Sequence, residues 1–182
     1  MENTRAENIL DLISEMESSK TVLIAYNSND PNTGLSKTKN LEKFKMFLCD
    51  TGLFTTMIFK DKDFTENIIY EKLLFDKLDS NLGYLYENVV AQILKANGNE
   101  LFYYTFLNEA SRHNYEIDFI LSRKNKVYPI EVKSSSYKTH SSLDAFCKKY
   151  SSRIHEKYLV YTKEFRKDSD IFCIPFYFVL FL

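Results

Sequence analysis

Two largely apolar, strand-like runs in this chain carry carboxylates in their interior. Tyr115 to Leu121 contains Asp118, and Val127 to Lys133 contains Glu131, thirteen residues further on. The polar stretch Ser122-Arg123-Lys124-Asn125-Lys126 between them reads as a turn, so the two runs are expected to pair as neighbouring strands. Side chains alternate along a strand, which puts Glu131 and Lys133 on one face while Ile130 and Val132 point the other way into a core. A lone Glu-x-Lys is ordinarily a surface ion pair. An Asp, a Glu and a Lys embedded together in two apolar strands are costly unless they pair with one another or bind metal.

The rest of the chain supports a folded α/β protein. It has 182 residues, 45% of them hydrophobic, with 13 Tyr and 15 Phe, enough for a substantial core. Four Gly and three Pro are too few for a linker-dominated chain. Residues 1–81 read as a first segment, with an amphipathic helix carrying Ile9, Leu12, Ile13 and Met16. Thr21 to Tyr26 and Phe44 to Cys49 follow as strands, Asp50 or Thr51 caps a helix, and a further helix covers about Phe64 to Leu78. Residues 82–182 read as helix, three strands, helix, strand. The first of these helices carries Leu85, Tyr86, Val89, Val90, Ile93 and Leu94 on one arc, with Asn97-Gly98 as its stop. Glu87 lies at the border of that arc and can face the sheet edge. Ile171 to Leu182 is apolar but twelve residues long, short of the roughly 20 a spanning helix needs, and its aromatic and β-branched content reads as one or two terminal strands.

A formal net charge of -1 is not that of a general nucleic-acid binder, yet from Ser122 to Lys167 twelve basic residues stand against four acidic ones. Such a surface beside the carboxylates would hold phosphates. The three cysteines, Cys49, Cys147 and Cys173, have no disulfide-like or zinc-like spacing, and no signal-peptide pattern opens the chain, so a reducing cytoplasm is the expected location. His113, His140 and His155 lack metal-ligand spacing. Ser134, Ser135 and Ser136 read as a polar loop, and the aromatic strand with Tyr103 and Tyr104 as core rather than a base-stacking platform.

The chemistry these residues suit is metal-dependent phosphodiester hydrolysis. Mg²⁺ and Mn²⁺ prefer hard oxygen donors, which Asp118 and Glu131 supply, with the Val132 carbonyl and Glu87 as further ligands. Lys133 would orient the attacking water or stabilise developing charge. The expected catalytic set is therefore Asp118, Glu131, Lys133 and Glu87.

Gly83-Tyr84-Leu85-Tyr86-Glu87-Asn88, Glu116-Ile117-Asp118-Phe119 and Pro129-Ile130-Glu131-Val132-Lys133 together resemble the PD-(D/E)xK nuclease superfamily. More narrowly, with Lys45-Met46-Phe47-Leu48-Cys49-Asp50-Thr51-Gly52-Leu53, the chain resembles the C-terminal domain of unassigned function (DUF4143 type) that follows the ATPase core in a prokaryotic family of AAA+ ATPases. The resemblance implies a restriction-endonuclease-like α/β core with a mixed central sheet, preceded by a small helical, winged-helix-like segment. It matches Asp118, Glu131 and Lys133 to the nuclease triad and Glu87 to the upstream helix acid. The expected partners are DNA and the AAA+ ATPase domain of a longer protein, with no membrane and with self-association open. Gly34, Gly52, Gly83 and Gly98 cannot make a phosphate-binding Walker loop, so no ATP site is expected in this chain. The rival expectation is a non-catalytic module that binds nucleic acid or protein, or mediates assembly, for an ATPase.

Overall fold

A computed structural model describes residues 2–59, 82–109, 112–134 and 139–182. Helix α1 (Glu2–Ser18) leads into β1 (Val22–Ser28), a short 3-10 turn (Ser36–Thr38), β2 (Lys39–Leu48) and α2 (Thr51–Phe59). After the undescribed interval come α3 (Leu82–Ala96), β3 (Phe102–Phe106), β4 (Tyr115–Ile117), β5 (Phe119–Arg123), β6 (Lys126–Val132) and α4 (Ser141–Lys149). β7 (Lys157–Tyr161), β8 (Arg166–Asp168), β9 (Ile171–Pro175) and a 3-10 segment (Phe176–Phe181) complete the chain. The helix expected over Phe64 to Leu78 lies outside the described residues.

The strands form two mixed sheets, in the orders β2-β1-β3-β4 and β5-β6-β7-β9-β8. In the first, β1 runs antiparallel to β2 and parallel to β3, with Tyr26 opposite Phe102 and Asn27 opposite Tyr103. Strand pairing therefore crosses the division expected at residue 81, and the first segment contributes two strands to a shared sheet. In the second sheet β6 is antiparallel to β5 and parallel to β7, which is itself parallel to β9. Strands in the middle of such a sheet are covered on both faces, so their residues are apolar almost without interruption. β6 is buried from Pro129 to Val132, Glu131 included.

Alternation along these strands divides the core in two. Phe119, Ile130, Val132 and Val160 pack with Val90, Ala91 and Leu94 of α3. Ile120, Val127 and Leu159 pack with Leu143, Phe146 and Cys147 of α4. The two helices thus cover opposite faces of the second sheet. The Tyr104 and Tyr150 hydroxyls meet at 2.6 Å within the second cluster, which satisfies both polar ends away from water.

Local signals explain the element ends. Asp50 caps α2, its carboxylate accepting from the Leu53 amide at 3.0 Å. Helix α3 closes in a Schellman motif, with Asn99 N donating to Leu94 O and Gly98 N to Lys95 O. Gly98 takes φ +81 there, a conformation that other residues adopt only with strain. The β5–β6 hairpin turns on Lys124 and Asn125, both with positive φ, as a two-residue connection requires.

Two expectations need correction. Tyr115 to Leu121 is not one strand: it breaks at Asp118 into β4, which pairs with β3, and β5, which pairs with β6. Ile171 to Leu182 does supply one terminal strand, β9, after which the aromatic run winds into a 3-10 turn and leaves Tyr177, Leu180 and Phe181 exposed. In α1, Ile9 and Leu12 lie exposed rather than packed. Among the described residues no helix is long and apolar enough to cross a membrane.

Candidate active site

The site forms where the chain passes from the first sheet to the second. The β5–β6 register, with Phe119 opposite Ile130, brings Asp118 to the level of Glu131. Instead of continuing the ladder, the backbone bends at Asp118 and its side chain replaces a strand bond. Asp118 Oδ2 accepts the Val132 amide hydrogen at 2.8 Å. The adjacent Lys133 amide donates to Val160 O at 2.8 Å, which anchors the end of β6 to β7.

Glu131 sits between Ile130 and Val132, both in the core on the α3 side, so it turns to the opposite face. Only 5% of the residue is exposed. Its Oε1 meets Lys133 Nζ at 2.6 Å, the same-face pairing that strand alternation demands. Its Oε2 is buried and has no hydrogen-bond partner among the described residues. Leaving a buried carboxylate oxygen unsatisfied is costly, and native proteins rarely do so without a reason.

A second group gathers around Lys45, on β2. Its Nζ lies 2.6 Å from Glu116 Oε1, 3.3 Å from Glu87 Oε2 and 4.0 Å from Asp118 Oδ1. The Tyr103 ring lies 5.4 Å from the same ammonium. α3 is set against β2 by Asn88, which accepts from Leu48 N at 2.8 Å and donates to Leu48 O at 3.0 Å. Gln92 adds a bond to Leu48 O and accepts from Thr51 Oγ1. These bonds fix the helix one residue from Glu87, and so fix Glu87 against Lys45.

One ammonium facing three carboxylates leaves negative charge uncompensated. Burial pushes the Asp118 pKa up, and neighbouring Glu87 adds to it. Lys45 and the Val132 amide pull it back, Glu131 raises it further, and it stands at about 8. Burial opposes the charged form of Lys45, but Glu87, Asp118 and Glu116 together overcome that and hold its pKa above the ordinary value. The Lys45 ammonium offsets only part of what burial and Glu87 impose on Asp118.

Residues 82–179 match the family described as a domain of unknown function, DUF4143. The chain belongs to this family. No curated protein and no solved structure matches the chain. The DUF4143 span contains Glu87, Asp118, Glu131 and Lys133, whereas Lys45 comes from outside it.

Of the expected site residues, Asp118, Glu131 and Lys133 are joined through one strand end, and Glu87 approaches Asp118 from α3 with Lys45 within reach of both. Val132 engages Asp118 through its amide N–H. Lys45 and Glu116 were not among the expected site residues. Glu116 stands two positions from Asp118, and that spacing was the signal available for it. Among the described residues no three His, Cys, Asp or Glu groups could by themselves hold an ion. A hard cation would instead take Asp118 and Glu131 and keep water for the rest of its shell, which is how Mg²⁺ is commonly bound. The unpartnered Glu131 Oε2 and the undercompensated Asp118 fit that donor set.

The other candidates fall to structure. Tyr103 and Tyr104 are buried. His140 pairs with Asp144 at 2.8 Å, and the His155 ring packs on Tyr128. Ser135 and Ser136 lie outside the described residues.

Proposed function

We propose that this DUF4143 protein is a nuclease-like phosphodiesterase acting on DNA with Mg²⁺ or Mn²⁺, its site built from Asp118, Glu131 and Lys133. The observation that carries this reading is Glu131: one oxygen held by Lys133 at 2.6 Å, the other buried without a partner among the described residues, close to the half-buried Asp118. A hydrogen-bonded ion pair alone would not call for that second oxygen. A bound divalent ion would polarise the phosphate and lower the pKa of a ligated water.

The protein's own groups do the remaining work. Glu131 orients the ammonium of Lys133, whose side chain is 30% exposed and can meet a non-bridging phosphate oxygen. There it would stabilise the charge that builds as the water oxygen bonds to phosphorus and the ester P–O bond breaks. Asp118, tied to the Val132 amide, is held in one orientation by the strand beside it. The basic run from Ser122 to Lys167 supports phosphate binding along the approach. The likeness to PD-(D/E)xK nucleases supports the same assignment, and the likeness to the C-terminal part of AAA+ ATPases supports an ATPase domain as partner.

The test is incubation of the purified protein with single- and double-stranded DNA in Mg²⁺ or Mn²⁺, beside Glu131→Ala and a chelator control. Metal-dependent cleavage lost in Glu131→Ala is expected. Cleavage no greater than that of Glu131→Ala would defeat the catalytic reading. A second reading, a non-catalytic DNA- or protein-binding module, draws on Lys45, which already supplies a cation to Glu87, Glu116 and Asp118. DNA binding that falls with salt and ignores divalent metal would favour it.

A further inference from the structure

Lys45 has no part in the chemistry above, yet it is the cation nearest Asp118 and Glu87 on the α3 side of the site. Its three partners are not equivalent. Glu116 is the closest, at 2.6 Å, and its side chain is 40% exposed. Glu87 and Asp118, at 3.3 and 4.0 Å, have side chains only 17% and 14% exposed. The ammonium therefore has an outer partner on the solvent side and two inner ones. It can withdraw from the inner pair without losing its shortest ion pair.

We propose that Lys45 is a built-in counter-ion that competes with the divalent cation for Glu87 and Asp118, and that cation binding moves Lys45 toward Glu116. This inference rests on the metal reading above and adds a control to it. Two cations within reach of the same carboxylates repel each other, and in a partly buried site that repulsion is weakly screened. Each therefore weakens the other's hold by the same factor. Lys45 comes from β2 and the acids from α3, β4 and the bend before β5, so the competition also couples metal binding to the seating of β2 on α3. A shift of β2 relative to that helix would alter metal affinity through Lys45, which is not itself a metal ligand.

Two measurements on the whole chain test this. In the wild-type protein, the rate at which an amine reagent modifies Lys45 is followed by mass spectrometry with and without saturating Mn²⁺, with exposed Lys124 as internal reference. Modification of Lys45 is expected to quicken several-fold relative to Lys124 when Mn²⁺ is present. In parallel, calorimetric titration should show Mn²⁺ bound about tenfold more tightly by Lys45→Met than by wild type. Lys45→Arg, which keeps the charge, should retain the wild-type affinity.

Unchanged labelling of Lys45 in Mn²⁺, or equal or weaker Mn²⁺ binding by Lys45→Met, overturns the competition. The metal reading then survives provided that wild type still binds Mn²⁺ and Asp118→Ala does not. Absence of Mn²⁺ binding in every variant defeats the metal reading and this inference together. Should Lys45→Met fail to fold, the wild-type labelling still decides.

Discussion

The Val132 amide donates to Asp118 Oδ2 at 2.8 Å, so a single carboxylate ends one sheet and begins the first hairpin of the next. Asp118→Asn keeps an acceptor for that amide, whereas Asp118→Ala leaves it buried and unpaired. An unsatisfied buried donor costs about 1–3 kcal/mol. Urea denaturation at pH 7 is expected to find Asp118→Ala less stable than Asp118→Asn by about that amount. Equal stability would mean that the bond contributes nothing to holding the bend.

The pKa of Asp118 sets a pH dependence with a definite sign. Its folded value of about 8 lies above the ordinary 3.8, because burial and the Glu87 charge disfavour the carboxylate. The folded state therefore binds the proton more tightly than the unfolded state between these values. The stabilisation is complete below about pH 4 and is lost as pH rises through 8. In chelator, the melting temperature should decline from pH 5 to pH 9, and Asp118→Asn should flatten that decline. An identical slope in both proteins would remove Asp118 as its source.

Asn88 is buried on α3 and serves both the N–H and C=O of Leu48, while donating a further bond to Thr51 Oγ1. Its loss strands polar groups at the end of β2 and loosens the helix that carries Glu87. Asn88→Ala is expected to cost about 2 kcal/mol in chemical denaturation. It should also change Mn²⁺ affinity, since Glu87, the next residue along the helix, is seated against the competing Lys45. Loss of stability with metal affinity intact would separate Asn88 from the site.

Strand alternation made the Glu131–Lys133 pairing readable from sequence, because a period of two leaves no choice of face once Ile130 and Val132 are in the core. The stop of α3 was equally plain at Asn97-Gly98, where glycine alone accepts the backbone conformation at low cost. The bend at Asp118 was hidden, since Ile117 and Phe119-Ile120 flank it with strand-forming residues and nothing local marks a change of sheet. Strand β8, Arg166-Lys167-Asp168, has no apolar pattern because it lies at a sheet edge and pairs only with β9. Lys45 meets Glu87 across 42 positions of sequence. No local pattern predicts such a meeting; it follows from β1 and β2 joining the sheet that leads to β4.

The proposed sharing of one divalent ion by Asp118 and Glu131 can be decided by a crystal of the whole chain grown or soaked in Mn²⁺. An anomalous scattering peak is expected within bonding distance of an oxygen from each acid, with Glu131 Oε2 among them. Carboxylates that remain unbridged at saturating Mn²⁺, or a peak that touches neither, would contradict it.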